Sequence, residues 1–371
     1  MRKIIIFAAA VLTMAFSSIA STAQTVNNFT IKRGTNISHW LSQSNERGEA
    51  RRQHIKEEDF ARLEKLGFDF VRLPIDEEQF WDEKGNRLPE AWTLLTQALN
   101  WAEKHHLRTI VDLHIIRSHN FNAVNEGKTN VLFTSDEAQQ DFINMWYKLS
   151  DALKAYSVDS VAYEIMNEPV ADDHEQWNKL IFKAHKALRE REPQRTLVIG
   201  SNKWQSTWTF KYLRVPEGDK NIILSFHYYE PQALTHYGAH WTPVGSYRGK
   251  LTYPGQLISQ ADYDAAPDNL KPILKQYTSV WNRDRIAQDF RDAIDVAKKY
   301  GLQLYCGEWG VYEPVDRDLA YKWTRDMLWV FNKYNIAWAS WCYDNDFGFW
   351  DQKSQSFKDR PLVDLLTGKK K

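Results

Sequence analysis

Two glutamates stand where a carboxylate pair can work together: Glu168 in Asn167-Glu168-Pro169 and Glu308 in Glu308-Trp309-Gly310. Each follows a β-type apolar run and sits beside a helix-breaking Pro or Gly. One such glutamate alone reads as a solvated strand end. Two of them, ending two runs of the same kind, are what hydrolysis of a glycosidic bond requires: one protonated acid at the leaving oxygen and one ionised carboxylate beneath the anomeric carbon. Neighbouring carboxyls can push their pKa values apart and so divide those roles. The His residues offer a competing chemistry, with His114 and His119, or His227, His236 and His240, as conceivable zinc ligands. No H-E-x-x-H or paired-Cys spacing supports them, so no metal is expected. A G-x-S-x-G elbow, a P-loop and a Gly-rich dinucleotide turn are also missing from the chain, and no cofactor is expected.

Positioning two carboxylates from distant parts of the chain needs a repeated scaffold, and the sequence has one. Apolar stripes at helical spacing, such as Phe60, Leu63 and Leu66 or Phe142, Met145, Trp146, Leu149 and Leu153, alternate with short β-type runs. The runs begin near Gly34-Ile37 and continue at Phe68-Pro74, Thr109-His114, Val161-Ile165, Thr196-Ile199, Ile222-Phe226, Leu302-Cys306 and Ala337-Trp341. Eight runs alternating with helices predict an α/β fold, a single-domain (β/α)8 TIM barrel with extended βα loops. In such a barrel, function gathers at the C-terminal ends of strands. The fourth and seventh runs deliver Glu168 and Glu308 to that rim. The widest gap, from Tyr228 to about Trp281, reads as a long aromatic loop on the same face.

Composition narrows the partner. Of 371 residues, 48 are Lys or Arg and 48 are Asp or Glu, so nothing in the charge favours nucleic acid or an anionic membrane. The 16 Trp, 17 Tyr and 18 Phe suit flat uncharged ligands such as sugar rings, whose C-H faces pack on aromatic faces. Arg2 and Lys3, the apolar stretch Ile4 to Phe16 and the small residues ending in Ser21-Thr22-Ala23 predict a cleaved signal peptide over residues 1-23, leaving a catalytic domain over 24-371. The apolar stretch is too short to span a bilayer. Export to a periplasm or to the medium is therefore expected, with no membrane contact after cleavage and a monomer as the working unit. Cys306 and Cys342 are expected to be free, buried thiols.

From about Arg33 to Leu366 the chain resembles glycoside hydrolase family 5, of the cellulase-like bacterial endoglucanase type. The resemblance rests on Val71-Arg72-Leu73-Pro74, Val111-Asp112-Leu113-His114, Tyr163-Glu164-Ile165-Met166-Asn167-Glu168-Pro169, Phe226-His227-Tyr228-Tyr229, Gly307-Glu308-Trp309-Gly310 and Ser340-Trp341, in that order and spacing. It implies that Glu168 is the general acid/base and Glu308 the nucleophile of a retaining double displacement. It further implies that Arg72 hydrogen-bonds Glu308 and keeps it ionised, that Tyr229 orients the same carboxylate, and that Asn167 holds the sugar 2-hydroxyl. His114 and His227 would line that subsite, with Trp341 as its aromatic floor. Two loops depart from the family pattern: Ile115-Ile116-Arg117-Ser118-His119-Asn120, where many relatives carry a Pro-Gly or acidic turn, and Asp76, where an aromatic is frequent. The substrate implied is a polysaccharide or oligosaccharide, a β-1,4-linked glucan, cellulose-like or mixed-linkage. The alternatives are a β-mannanase, a xyloglucanase or a β-1,3-glucanase of the same fold. A non-catalytic secreted glycan-binding barrel is the alternative of another class. Trp40, Trp204, Trp208 and Trp241 are candidate sugar platforms.

Overall fold

The computed structural model describes residue 26 and residues 28-123 and 130-368, so the expected leader over residues 1-23 lies outside the described residues. Its centre is a closed barrel of eight parallel strands in sequential order. In chain order these are β1 (Arg33–Asn36), β2 (Phe70–Asp76), β3 (Arg108–Ile115), β4 (Val161–Glu164), β5 (Leu197–Gly200), β6 (Ile222–His227), β7 (Gln303–Glu308) and β8 (Ala337–Ser340). β8 pairs with β1 and closes the ring, Gly34 facing Ala339. The (β/α)8 barrel expected from the eight β-type runs is what the chain forms.

Alternation along the strands explains why this barrel carries a polar site at one end. Successive side chains point to opposite faces. Phe70, Ile110, Ala162, Val198, Ile223, Tyr305, Ala337 and Ala339 form an inner apolar cluster, closed below by Phe29 and Ile31. Two residues further along, the same inward face carries Arg72 on β2, Asp112 on β3 and Glu164 on β4, all fully buried. The plug is tightly filled: a Cβ on Gly34 would lie 2.5 Å from the Phe70 ring, so only glycine fits there.

Helices cover the outside. They are α1 (Glu57–Leu66), α2 (Pro89–Lys104), α3 (Asp136–Leu153), α4 (His174–Arg191), α5 (Arg291–Tyr300), α6 (Arg317–Tyr334) and α7 (Arg360–Thr367). Each buries an apolar stripe against the strands, as α3 does with Phe142, Met145, Trp146, Leu149 and Leu153. Local signals set the ends: Gly67 terminates α1 in the left-handed conformation at φ 87°, and Asp173 caps α4 by accepting from the Glu175 amide. Between β5 and β6 the alternation lapses, and the main element is a 3-10 turn, Thr207–Tyr212. That sequence, Thr-Trp-Thr-Phe-Lys-Tyr, is β-branched and aromatic and has weak helix propensity.

The segment from Tyr228 to Trp281 is less a bare loop than expected. It folds into short helices at Gln232–Thr235, Gln260–Asp264 and Lys271–Leu274 and a two-stranded pairing of Gly255–Gln256 with Val280–Trp281. Tyr228, Tyr247 and Tyr253 are buried, and Tyr228 and Tyr253 reach beyond the segment, their hydroxyls donating to Asp289 at 2.8 Å and Asp326 at 2.9 Å, so part of its aromatic content seats the segment on the barrel. Cys306 and Cys342 are free and buried. No helix among the described residues is long and apolar enough to cross a membrane.

Candidate active site

At the C-terminal mouth lies a cleft of about 950 Å³, lined by His114, Asn167, Glu168, His227, Tyr229, Glu308 and Trp341. The structure therefore brings together seven of the eight site residues expected from sequence. The eighth, Arg72, lies directly beneath them, fully buried, and reaches the cleft only through its partners.

Glu308 and Glu168 arrive by different local devices. β6 and β7 run in register through Phe226 and Cys306, then slip so that His227 faces Glu308, leaving Gly307 as an extra residue. Such a bulge re-aims the side chain after it, and here it turns Glu308 toward the barrel axis. A Cβ on Gly307 would sit 2.9 Å from His227 Nε2 and 3.0 Å from Ser225 Oγ, which leaves no room for another residue type. Glu168 lies four residues beyond the end of β4 in a left-handed conformation, φ 43°, an uncommon state for a residue with a Cβ.

One oxygen of Glu168, one of Glu308 and a His227 ring nitrogen lie within 4.8 Å of one another. The two carboxyls have unequal surroundings. Glu308 receives a hydrogen bond from Arg72 Nη1 at 2.7 Å on Oε1 and from the Tyr229 hydroxyl at 3.0 Å on Oε2. Glu168 Oε1 is bonded to His227 Nδ1 at 2.7 Å, and the same nitrogen lies 3.6 Å from Glu308 Oε2. Burial holds the pKa of Glu308 above the ordinary carboxylate value, and the Arg72 charge opposes the rise. Glu168 is pushed well above the carboxylate range, by burial and then by the charge of Glu308. The pair is thus arranged to hold one proton on Glu168 and one charge on Glu308.

The histidines are neutral in this setting. Burial, followed by the Arg72 charge, drives the His227 pKa well down, and its Nε2 has no partner. An orphaned N–H costs more than an orphaned lone pair in such a place, so the ring proton belongs on Nδ1, donated to Glu168. His114 is lowered to about 3 by burial. Its Nδ1 is 2.7 Å from Asp112 Oδ2, which draws the proton there and leaves Nε2 as an acceptor. The His114 ring lies parallel to Trp341, centroids 5.8 Å apart at 7°. Asn167 accepts from Arg72 Nη2 at 2.8 Å, while its own Nδ2 is buried without a partner, a donor free for a ligand hydroxyl.

Asp112, Glu164 and Asn36 carried no role in the sequence reading, and all three meet Arg72. Arg72 holds three carboxylates: Nη1 to Glu308, Nη2 to Asp112 at 3.0 Å, and Nε to Glu164 at 2.7 Å. Burial alone would lower the Arg72 pKa, but Asp112, Glu164 and Glu308 outweigh it and hold the group above its usual value. Asp112, by contrast, is pushed up to about 7 by burial, against the pull of Arg72. Asn36 Oδ1 accepts from Arg72 at 3.0 Å. Asp76, one of the departures from the family pattern, accepts from Ser42 Oγ at 2.8 Å and from the Gln43 amide at 2.6 Å, tying the loop after β1 to the end of β2. Among the tryptophans, Trp204, Trp208 and Trp241 line the cleft and are 44%, 54% and 40% exposed. Trp40 does not: it is fully buried with Nε1 donating to Arg51 O at 2.8 Å, so the expectation of a platform there is corrected to a core residue.

As a metal site the Glu168, His227 and Glu308 group is disfavoured, because the Arg72 guanidinium already sits against Glu308 and would repel a second cation.

Comparison with known proteins agrees with this architecture. The cellulase (glycosyl hydrolase family 5) profile matches residues 26–347. Endoglucanase C of Acetivibrio thermocellus is 30% identical over 349 residues, covering 91% of this chain and 98% of its own length. Cellodextrinase A of Ruminococcus flavefaciens is 27% identical, covering 83% of this chain and 84% of its own. The structure of Thermotoga maritima Cel5A in complex with mannotriose superposes with a TM-score of 0.73 at 25% identity, covering 91% of this chain and 98% of that one. A closed eight-stranded barrel matched by that profile over nearly its whole length is an endoglucanase-like glycoside hydrolase, and the chain belongs to the cellulase family, glycosyl hydrolase family 5.

Proposed function

We propose that this barrel is a retaining, endo-acting hydrolase of β-1,4-linked glucan. The observation that carries the reading is the asymmetry of the carboxyl pair: Glu308 is held by Arg72 and Tyr229, while Glu168 meets only the neutral His227 through its side chain. Glu308, ionised, attacks the anomeric carbon, while Glu168 protonates the leaving oxygen through the carboxyl oxygen that His227 does not occupy. A water then enters the vacated leaving-group side, Glu168 takes its proton, and the glycosyl ester on Glu308 is hydrolysed. One oxygen of Glu168 and one of Glu308 lie within 4.8 Å of each other, and a short separation between the two carboxyl groups, about 5–5.5 Å, is what retention needs. The unpaired Nδ2 of Asn167 is available to the sugar 2-hydroxyl, and Trp341 and His114 supply a flat wall to the same ring.

In this reading residues 1-23 are a leader removed on export and residues 24-371 one catalytic domain acting as a monomer on polysaccharide. Trp204, Trp208 and Trp241 serve as sugar platforms along the cleft. Mannan is kept as a second substrate class because the Cel5A neighbour is described with mannotriose. The deciding experiment measures new reducing ends, with chromatography of early products, on β-1,4-glucan, mixed-linkage glucan, xyloglucan, mannan and laminarin, beside Glu308→Ala. The expected result is mixed oligosaccharides from β-1,4-glucan and none from the variant. Saccharide binding without new reducing ends on any of the five would replace the reading with a glycan-binding barrel.

A further inference from the structure

We propose that Gln205 is a positioning residue for Glu168, an inference that rests on the acid/base reading above. Gln205 is fully buried and lies just beyond β5. Its Oε1 accepts from the backbone N–H of Glu168 at 3.0 Å, and its Nε2 donates to Glu164 Oε1 at 3.1 Å. These partners fix which end of the amide is oxygen, because a backbone N–H needs an acceptor and a carboxylate needs a donor. Glu164 is bonded to Arg72, and Arg72 to Glu308. A single amide therefore connects the backbone of one catalytic carboxyl to the guanidinium that holds the other.

The chain accepts strain to put that amide in place. Lys203, Trp204 and Gln205 are left-handed in succession, at φ 54°, 59° and 52°, and none is glycine. The turn is bonded repeatedly to the loop after β4: Asn202 exchanges two hydrogen bonds of 2.9 Å with the Ala171 backbone, the Trp204 amide donates to Pro169 O at 3.2 Å, and Gln205 holds Glu168. Gly200 leaves the space, since a Cβ there would fall 2.2 Å from Gln205 Nε2. The bond from Gln205 falls on the left-handed residue itself, where a freed backbone would relax toward the ordinary regions and carry the Glu168 carboxyl away from Glu308. Gln205 does not itself line the cleft, so its effect reaches the substrate through the residues it holds, Glu168 directly and Glu308 by way of Glu164 and Arg72.

The test compares Gln205→Met and Gln205→Glu with the parent on cello-oligosaccharides and on an aryl cellobioside with an activated leaving group. Gln205→Met should lower kcat on the oligosaccharides about ten- to hundredfold with KM little changed, and should lower it far less on the activated substrate, whose departure needs no proton. Gln205→Glu adds an independent signature. A protonated carboxyl has one acceptor and one donor, as the amide has, so activity on oligosaccharides should return toward the parent at acid pH and fall as the new group ionises against Glu164. Equal losses on both substrates by Gln205→Met, or no loss, together with a pH profile of Gln205→Glu parallel to the parent, would overturn the inference. Glu168→Ala is measured alongside. If it discriminates between the leaving groups and the Gln205 variants do not, the positioning role falls alone; if it fails to discriminate, the acid/base reading falls and takes the inference with it.

Discussion

At the level of single residues, the two glutamates of the proposed reaction are told apart by their neighbours. Glu168→Ala should slow substrates with poor leaving groups by several orders of magnitude while sparing activated aryl glycosides, because only the former need protonation. Kinetics on the two classes check this, and equal losses would remove Glu168 from the role. Arg72 is the other lever. It lowers the pKa of Glu308, which in the proposed reaction must be ionised to attack, so Arg72→Gln should move the acid limb of kcat/KM to higher pH. The same change leaves Asp112, Glu164 and Glu308 buried without their cation and should cost about 3–5 kcal/mol of stability, read by denaturant unfolding beside the pH profile. Glu168 and Glu308 were legible in the sequence because each lies at or just past the end of a recognisable strand, and Asn167, His227 and Tyr229 because they stand in motifs that resemble the family's. Asp112 and Glu164 stand in strands just as recognisable, yet their part depends on three strands meeting Arg72 across a closed interior. That encounter has no signature along the chain.

At the level of elements, geometry is set by irregularities in otherwise regular strands. The bulge at Gly307 turns Glu308 inward, and Gly307→Ala would drive a methyl to within 2.9 Å of His227 Nε2. That variant should keep the far-UV spectrum of the barrel and lose most of its activity, about a hundredfold for a displacement near 1 Å; full activity would mean that the ring yields without disturbing Glu168. A second device ties two loops at the rim. His54, on the short helix Gly48–His54, bonds Glu46 at 2.7 Å and Asp344, beyond β8, at 2.8 Å. Burial would lower its pKa, but Asp344 and then Glu46 outweigh it and raise the group to about 9. A folded pKa above the unfolded value gives stability that is complete below about pH 6.5 and fades as pH rises through about 9, on the order of 3 kcal/mol in all. His54→Gln should flatten that decline in thermal unfolding between these pH values, and an unchanged slope would assign it elsewhere. The strand series was readable from periodicity, whereas the bulge, the left-handed turn over 203-205 and the 3-10 stretch after β5 were not. Each arises from pairing and packing between segments distant in sequence.

On the scale of the whole molecule, the barrel reconciles an apolar plug with a charged rim by running both along the same inward faces. Its inner cluster from Phe29 to Ala339 gives rigidity, and the polar layer above it holds the carboxyl pair at a fixed separation that catalysis can use. Fold class was legible early because eight β-type runs with intervening helices leave few other closures. Cleft shape was not, since Trp40 and Trp204 look alike in sequence and only packing sends one to the core and the other to the rim. The central claim is that Glu308 attacks and Glu168 protonates in a double displacement that retains the anomeric configuration. Proton NMR of the newly formed reducing end during the first minutes of oligosaccharide cleavage tests it most directly. The account predicts that the β anomer appears first and mutarotates afterwards; initial release of the α anomer would contradict it.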